Sequence, residues 1–271
     1  LLDSVQKIIM LERSPAFRLG GLARDSFGGI FIAGSPEQKR LGISDGPEQA
    51  LKDWLATAGF GPGEEWPRRW AELYTRESRT TVYDYLNGHG IRFFPFVHWV
   101  ERGLYGPGNT YPRFHMVWGT GRRLVDRLLE QLEAHPKKKN LEIRFLHKVT
   151  GLLSSQNRIT GCEGIIENDG GLTRQHAERW GEPSARPFQI QAEHTVIASG
   201  GIGGSLDKVR RFWGAGNPPA TILNGSYPTA DGLLHDVAAL AGARLTNLDR
   251  MWNYAAGVRH PRPLFENHGL S

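Results

Sequence analysis

Two glycine pairs, Gly20-Gly21 and Gly28-Gly29, bracket a short polar segment and follow closely on the apolar run Lys7-Ile8-Ile9-Met10-Leu11, which ends in the carboxylate of Glu12. A strand covered on both faces reads as a continuous apolar run, so this stretch predicts a buried parallel strand. The paired glycines after it predict a place where backbone passes close to something else, because no Cβ stands in the way.

The rest of the chain fits an α/β organisation. Pro47 to Ala58 and Trp66 to Asn87 read as two helices separated by Gly59-Phe60-Gly61-Pro62-Gly63, and His89 to Tyr111 reads as a structured loop with one or two short strands. Leu124, Val125, Leu128, Leu129 and Leu132 form an apolar stripe at helical spacing, closed by Pro136. Residues 141–146 and 148–153, with strands near 159–166 and 188–192, predict an antiparallel meander around a polar insertion at 167–187. His194 to Ser199 predicts an apolar strand entering the turn Gly200-Gly201-Ile202-Gly203-Gly204. A short helix is expected over 207–213, and a last one over Leu233 to Ala241, ended by Gly242.

Composition narrows the class. The 271 residues carry 33 Lys plus Arg against 28 Asp plus Glu, and the one basic run, Lys137-Lys138-Lys139, sits beside Pro136 as a solvated turn. The pI near 9.4 therefore does not mark a nucleic-acid partner. Cys162 is the sole cysteine, so this chain alone forms no disulfide and no cysteine metal site, which favours a reducing, cytoplasmic compartment. In such a compartment the sequon Asn224-Gly225-Ser226 would not meet a glycosyltransferase. No window has eighteen consecutive apolar residues, so no transmembrane segment is expected. The scattered histidines His98, His260 and His268 suggest no metal site, no nucleophile elbow is present, and the Trp66 and Trp70 pair reads as packing.

A carboxylate at a strand end together with strand-to-glycine turns is what a dinucleotide site needs. Backbone N–H groups reach the pyrophosphate, and the carboxylate takes the ribose hydroxyls. Glu12 suits the second task. The G-x-G-x-x-G turn expected roughly twenty residues before such a carboxylate is absent. That spacing, with the opening on Leu1, is expected of a chain that starts inside the first helix of the unit.

The order of motifs is more specific than any of them alone. Met10-Leu11-Glu12, Gly20-Gly21 with Phe27-Gly28-Gly29, Ser35-Pro36-Glu37-Gln38, Trp66-Pro67-Arg68-Arg69-Trp70, Pro112-Arg113-Phe114-His115, Trp118-Gly119-Thr120-Gly121, Ser199 to Gly204 and Asp249-Arg250-Met251-Trp252 follow one another along nearly the whole chain. In this order the chain resembles FAD-binding dehydrogenases related to 3-ketosteroid Δ1-dehydrogenase, within the fumarate reductase and succinate dehydrogenase flavoprotein superfamily.

The resemblance implies a Rossmann-like FAD/NAD(P)-binding α/β fold with a mostly parallel sheet and an antiparallel meander. It implies an incomplete FAD-binding domain over 1–231, with a helical insertion at about 36–112, and the start of an α+β cap domain over 232–271. The family's C-terminal half is not reached, so this stretch alone is expected to bind FAD weakly or not at all. Glu12 would hold the adenosine ribose. Gly20, Gly21, Leu22, Ala23, Ser26, Gly28 and Gly29 would run along the pyrophosphate, ribityl chain and ring system. Val149 would offer backbone to the adenine, Ala198, Ser199 and Gly200 would line a second turn against FAD, and Asp231 would approach the cofactor. Members that attach FAD covalently use a histidine in the double-glycine segment; none is present, so noncovalent FAD is expected.

On the substrate side, Arg113 and His115 resemble an Arg-x-His segment that contacts a substrate carboxylate in soluble fumarate reductases, although Met116-Val117-Trp118 changes the spacing to the glycines. Packing among aromatics is the competing reading of His115. The acid and base tyrosines of the steroid enzymes are not placed among Tyr105, Tyr111 and Tyr254.

The expected activity is an FAD-dependent dehydrogenase moving a hydride between a carbonyl- or carboxylate-activated C–C bond and flavin N5, with a steroid or dicarboxylate-like substrate and an unidentified electron acceptor. A fumarate reductase-like enoate reductase, a nicotinamide-dependent dehydrogenase and a noncatalytic scaffold that kept the fold stand as alternatives.

Overall fold

The computed structural model describes residues 1–4, 7–99, 107–167, 186–214, 216–251, 257–265 and 267–270. In chain order the elements are β1 (Ile8–Leu11), α1 (Gly21–Asp25), β2 (Gly29–Phe31), α2 (Pro36–Arg40), α3 (Pro47–Ala58), α4 (Glu65–Glu77), a π-helical stretch (Ser78–Tyr83) and α5 (Asp84–Gly88). There follow β3 (Phe114–Met116), α6 (Thr120–Glu133), β4 (Leu141–Arg144), β5 (His147–Ser155), β6 (Arg158–Ile166), β7 (Arg186–Gln191), α7 (Leu206–Arg211), α8 (Leu233–Leu240), β8 (Val258–Arg259) and β9 (Gly269–Leu270). They gather into two compact units, one made of Leu1–Leu19 with Lys139–Ser271 and the other of Gly20–Lys138. The insertion expected over 36–112 falls inside the second.

In the first unit β1 pairs in parallel with β4, Ile8 opposite Leu141 and Leu11 opposite Arg144. The meander forms from β5, β6 and β7, with β6 in the middle and both pairs antiparallel, whereas residues 141–146, expected to belong to it, supply β4 to the parallel pair with β1 instead. The residues of β1 are only partly buried, less than their unbroken apolar run implies. Helix α7 begins at Ser205, whose hydroxyl accepts from Lys208 N, and α8 is followed by Gly242 in the left-handed region at φ 93°. Asn224 is buried, its Oδ1 held by Ser226 N at 2.8 Å.

Two expectations need correction. Residues 194–200 carry no strand, and Val196 is 76% exposed. An apolar run becomes a buried strand only where neighbours hydrogen-bond both its edges, and no described strand pairs with it. The sheets are also not mostly parallel: among the described residues β1–β4 is the parallel pair, whereas β2–β3, β5–β6–β7 and β8–β9 are antiparallel.

The second unit holds the tighter core. Ile32, Tyr83, Leu86, Ile91, Phe93 and Val117 are buried together, edged by Leu124 and Leu128 from α6. Helix α3 has the bounds that the sequence predicts, with Pro47 at its first turn and Gly59 left-handed at its end. The helix expected over 66–87 is continuous in path but changes winding at 78–83. There the buried Ser78 hydroxyl takes Ala33 N at 3.3 Å, a link from the helix to the strand layer that an unbroken helix face would not offer. Trp54 packs edge-on against Phe31 at 5.3 Å and Tyr74 at 5.8 Å, Phe31 and Tyr74 are tilted at 6.2 Å, and Tyr74 donates its hydroxyl to Phe31 O at 2.9 Å.

Candidate functional site

The cofactor residues expected from the sequence divide between the two units. In the first, Glu12 closes β1. Its Oε1 accepts from Ser14 N at 2.7 Å, and no described residue hydrogen-bonds Oε2. A carboxylate fixed through one oxygen at the carboxyl end of a parallel strand, with the other unengaged among the described residues, is the acceptor that a pair of donating ribose hydroxyls requires. Backbone ties the neighbouring segments to it: Glu12 N donates to Arg144 O, His147 N donates to Glu12 O at 3.0 Å, and Val149 lies two residues further along β5.

Asp231 is brought to the same strand end. Its Oδ2 accepts from Arg13 Nη1 at 2.9 Å, and its Oδ1 caps the start of α8 through Leu233 N at 2.9 Å. Ala198, Ser199 and Gly200 are exposed, and Gly200 is left-handed at φ 78° with nothing within 4 Å of where a Cβ would stand. The turn is anchored at both sides: His235 Nε2 lies 3.1 Å from Gly200 O, and Gly204 N donates to Ala230 O at 2.8 Å.

In the second unit, the double-glycine segment wraps the short helix α1, and its four glycines have different reasons to be glycine. A Cβ on Gly20 would meet Val125 Cγ1 at 2.5 Å, one on Gly28 would meet Thr120 C and Gly121 N at 2.8 Å, and one on Gly29 would strike the Phe114 ring. These three let α6 and β3 approach. Gly21, left-handed at φ 49°, faces open space, as a backbone cradle for a ligand must. Leu22 and Ala23 lie on exposed turns of α1. Ser26 is already engaged, its hydroxyl donating to Ala23 O at 2.8 Å and accepting from Gly28 N at 3.1 Å. Arg24 pairs with Asp126 at 2.7 Å and holds α1 to α6.

Arg113 and His115 lie in a closed interior network. Arg113 grips Asp45 through Nε and Nη2, both at 2.7 Å, and Asp53 through Nη1 at 2.7 Å. Asp53 also takes Thr110 N and the Thr110 hydroxyl. Burial pushes the Asp53 carboxyl up, but the hydrogen bonds from Arg113 and Thr110 outweigh it and leave its pKa lowered. His115 is fully buried. Its Nε2 lies 2.7 Å from Ser35 Oγ and its Nδ1 2.9 Å from Arg113 O. Since a carbonyl only accepts, Nδ1 carries the hydrogen and Nε2 accepts from Ser35, whose oxygen in turn accepts from Gln38 N at 3.0 Å. Burial lowers the pKa of His115 and keeps it neutral. Every polar atom of the pair has a protein partner, so this geometry offers a substrate neither Arg113 nor His115.

Sequence reasoning missed the partners Asp45 and Asp53, and it missed Arg13 with Glu167. Ser35-Pro36-Glu37-Gln38 did carry a legible signal, the capping box that starts α2. Tyr105, Tyr254 and Trp252 lie outside the described residues, as do 168–185 of the polar insertion. Among the described residues no helix is long and apolar enough to cross a membrane.

The chain belongs to the FAD binding domain family, whose model matches residues 4–270, and FAD is the cofactor that membership defines. It is 38% identical to a KsdD-like steroid dehydrogenase of Mycobacterium tuberculosis, over 100% of this chain and 48% of that protein. It is equally 38% identical to a KsdD-like steroid dehydrogenase of Mycolicibacterium smegmatis, over 50% of its length. The chain thus spans about half the length of the curated relatives it matches. Among solved structures, the fold resembles the open conformation of a flavocytochrome c3 fumarate reductase, with a TM-score of 0.59, 16% identity and coverage of 88% of this chain and 41% of that one. The Mycobacterium smegmatis Sdh1 complex in the apo form aligns with a TM-score of 0.56 and 20% identity, over 87% of this chain and 34% of that one.

Proposed function

We propose that this chain is the FAD-holding part of an oxidoreductase acting on a C–C bond next to a carbonyl or carboxylate, with a ketosteroid-like compound as the substrate class. The observation that carries the cofactor half of this reading is Glu12, a strand-end carboxylate with one oxygen fixed by Ser14 N and the other unengaged among the described residues. The steroid half rests on the KsdD-like relatives.

In this reading Glu12 accepts the adenosine ribose hydroxyls, and Val149 presents backbone to the adenine. Gly20, Gly21, Leu22, Ala23, Ser26, Gly28 and Gly29 form the segment along the pyrophosphate and ribityl chain, with Gly21 the position that gives a ligand direct access to backbone. Ala198, Ser199 and Gly200 supply a second backbone turn, and Asp231, at the start of α8, contacts the cofactor beside Glu12 and Val149. The double-glycine segment has no histidine, so the cofactor is held without a covalent bond. Residues 1–231 would form the FAD-binding domain and 232–271 the start of a cap. Bound FAD supplies hydride acceptance or donation at its N5. Arg113 and His115 brace the fold around Ser35 and α3 and take no part in the chemistry.

Absorbance of the purified whole protein tests this. A band near roughly 450 nm that bleaches when a 3-ketosteroid is added supports both halves. A protein that is colourless and takes up no FAD refutes the cofactor half, and a flavoprotein indifferent to ketosteroids refutes the substrate class.

A further inference from the structure

Glu12, Val149 and Asp231 come from the end of one strand, the start of another and a turn far along the chain; a backbone hydrogen bond from His147 N to Glu12 O ties the first two together, and α8, which follows Asp231, packs on β5. A single guanidinium reaches the third. Arg13 Nε donates to Glu167 Oε2 at 3.1 Å, and Arg13 Nη1 donates to Asp231 Oδ2 at 2.9 Å. Glu167 Oε1 lies 3.4 Å from Lys148 Nζ. Each member of this cluster either adjoins a proposed cofactor contact or is one: Arg13 follows Glu12, Lys148 precedes Val149, and Asp231 is itself such a contact. Glu167 is held in turn by backbone, its N donating to Leu146 O at 2.8 Å.

The chemistry of the cluster is specific. Two carboxylates that approach one another repel unless a cation lies between them, and a planar fork holds two acceptors in fixed directions where an ammonium holds a point. Asp231 is gripped from both sides, by Arg13 at Oδ2 and by Leu233 N at Oδ1, so the plane of its carboxylate is set. The cluster is half-buried, where charge pairs are less screened than at an open surface.

We infer that Arg13, braced by Glu167 and Lys148, is a positioning residue for the adenosine half of FAD: it sets the turn bearing Asp231 against the strand ends bearing Glu12 and Val149. The inference rests on the reading that those three residues contact FAD. Arg13 itself need not touch the cofactor; its effect is on where three other residues stand before FAD arrives.

The experiment uses the whole protein stripped of flavin and titrated with FAD, with ADP and FMN as competitors that probe the two halves of the cofactor separately. R13M is expected to raise the FAD and ADP dissociation constants together by about tenfold or more, since small misplacements of binding groups carry large costs, while leaving the FMN constant unchanged. R13K, which keeps the charge but not the fork, recovers part of the loss. If R13M binds FAD and ADP as the parent does, or if ADP and FMN lose affinity equally, the inference is overturned, the second case marking general damage to the fold. Glu12→Ala separates the two levels. Weakened FAD binding in E12A beside an unaffected R13M overturns the positioning role and keeps the site, whereas unaffected binding in E12A removes the site and the inference with it. If R13M does not fold, Glu167→Gln removes one anchor at constant shape, and an ADP-specific loss smaller than tenfold supports the inference while unchanged ADP binding overturns it.

Discussion

Arg113 and Arg13 each place one guanidinium between two carboxylates, in very different surroundings. The side chains of Arg113, Asp45 and Asp53 are 3%, 0% and 6% exposed, and those of Arg13, Glu167 and Asp231 are 20%, 16% and 32% exposed. The first cluster is saturated: Asp53 takes Thr110 and Gln49 as well, Asp45 takes Gln38, and Gln38 reaches Pro112 O and Ser35 N. It has no free direction left for a ligand. The second is partly exposed and sits next to a carboxylate, Glu12, whose Oε2 takes no hydrogen bond among the described residues. The same ionic motif therefore serves as a structural lock where water is excluded, and as an adjustable support where a ligand can approach.

The largest effect that separates the two should come from R113M. It leaves two buried carboxylates without their cation, so a loss of about 3–5 kcal/mol is expected in denaturant unfolding followed by circular dichroism. A loss below about 1 kcal/mol would mean the network is not closed as described. Next in size, His115→Leu orphans the Ser35 hydroxyl and should cost roughly 1–3 kcal/mol at neutral pH.

The same histidine gives a pH signature. Its folded pKa lies below the ordinary value of 6.5, so the unfolded chain binds the extra proton first. The stability His115 contributes is complete above pH 6.5 and declines as the pH falls below it, and the gap between parent and H115L should narrow there. A gap constant from pH 8 to the mild acid range, measured by the same unfolding transitions, would show His115 charging freely in the fold.

The smallest stability effect is expected for R13M, about 1 kcal/mol or less, because partly exposed ion pairs contribute little. R13M as damaging to stability as R113M would erase the distinction, and FAD affinity rather than unfolding is where Arg13 should show itself.

Much of this was legible in the chain. Gly59 and Pro47 bound α3 where they stand, the Leu124-to-Leu132 stripe marks α6, and the strands after His147 were legible as the meander, since local periodicity and turn residues act within a few positions, whereas the pairing of the Leu141 strand with β1 was not legible. Glu12 drew attention because it closes an apolar run ahead of two glycine pairs and a second glycine turn near Ser199, a combination more telling than a strand-end carboxylate by itself. The expected strand at 194–199 failed because apolar composition states a preference for burial without supplying a partner. The surroundings of Arg113 and His115 were illegible for a related reason: an Arg-x-His segment looks the same whether it faces a ligand or Asp45 and Asp53, which lie 68 and 60 positions away.

Sequence alone determined the family pattern, the bounds of α3 and the amphipathic character of α6, and the presence of paired glycines where backbone comes close to something else. Tertiary structure decided which charges meet, and with that which arginine is sealed among carboxylates and which one stands beside Glu12 with Asp231 in its grasp. Periodicity and glycine spacing are properties of neighbours along the chain, whereas burial and ion pairing depend on residues that only folding brings together.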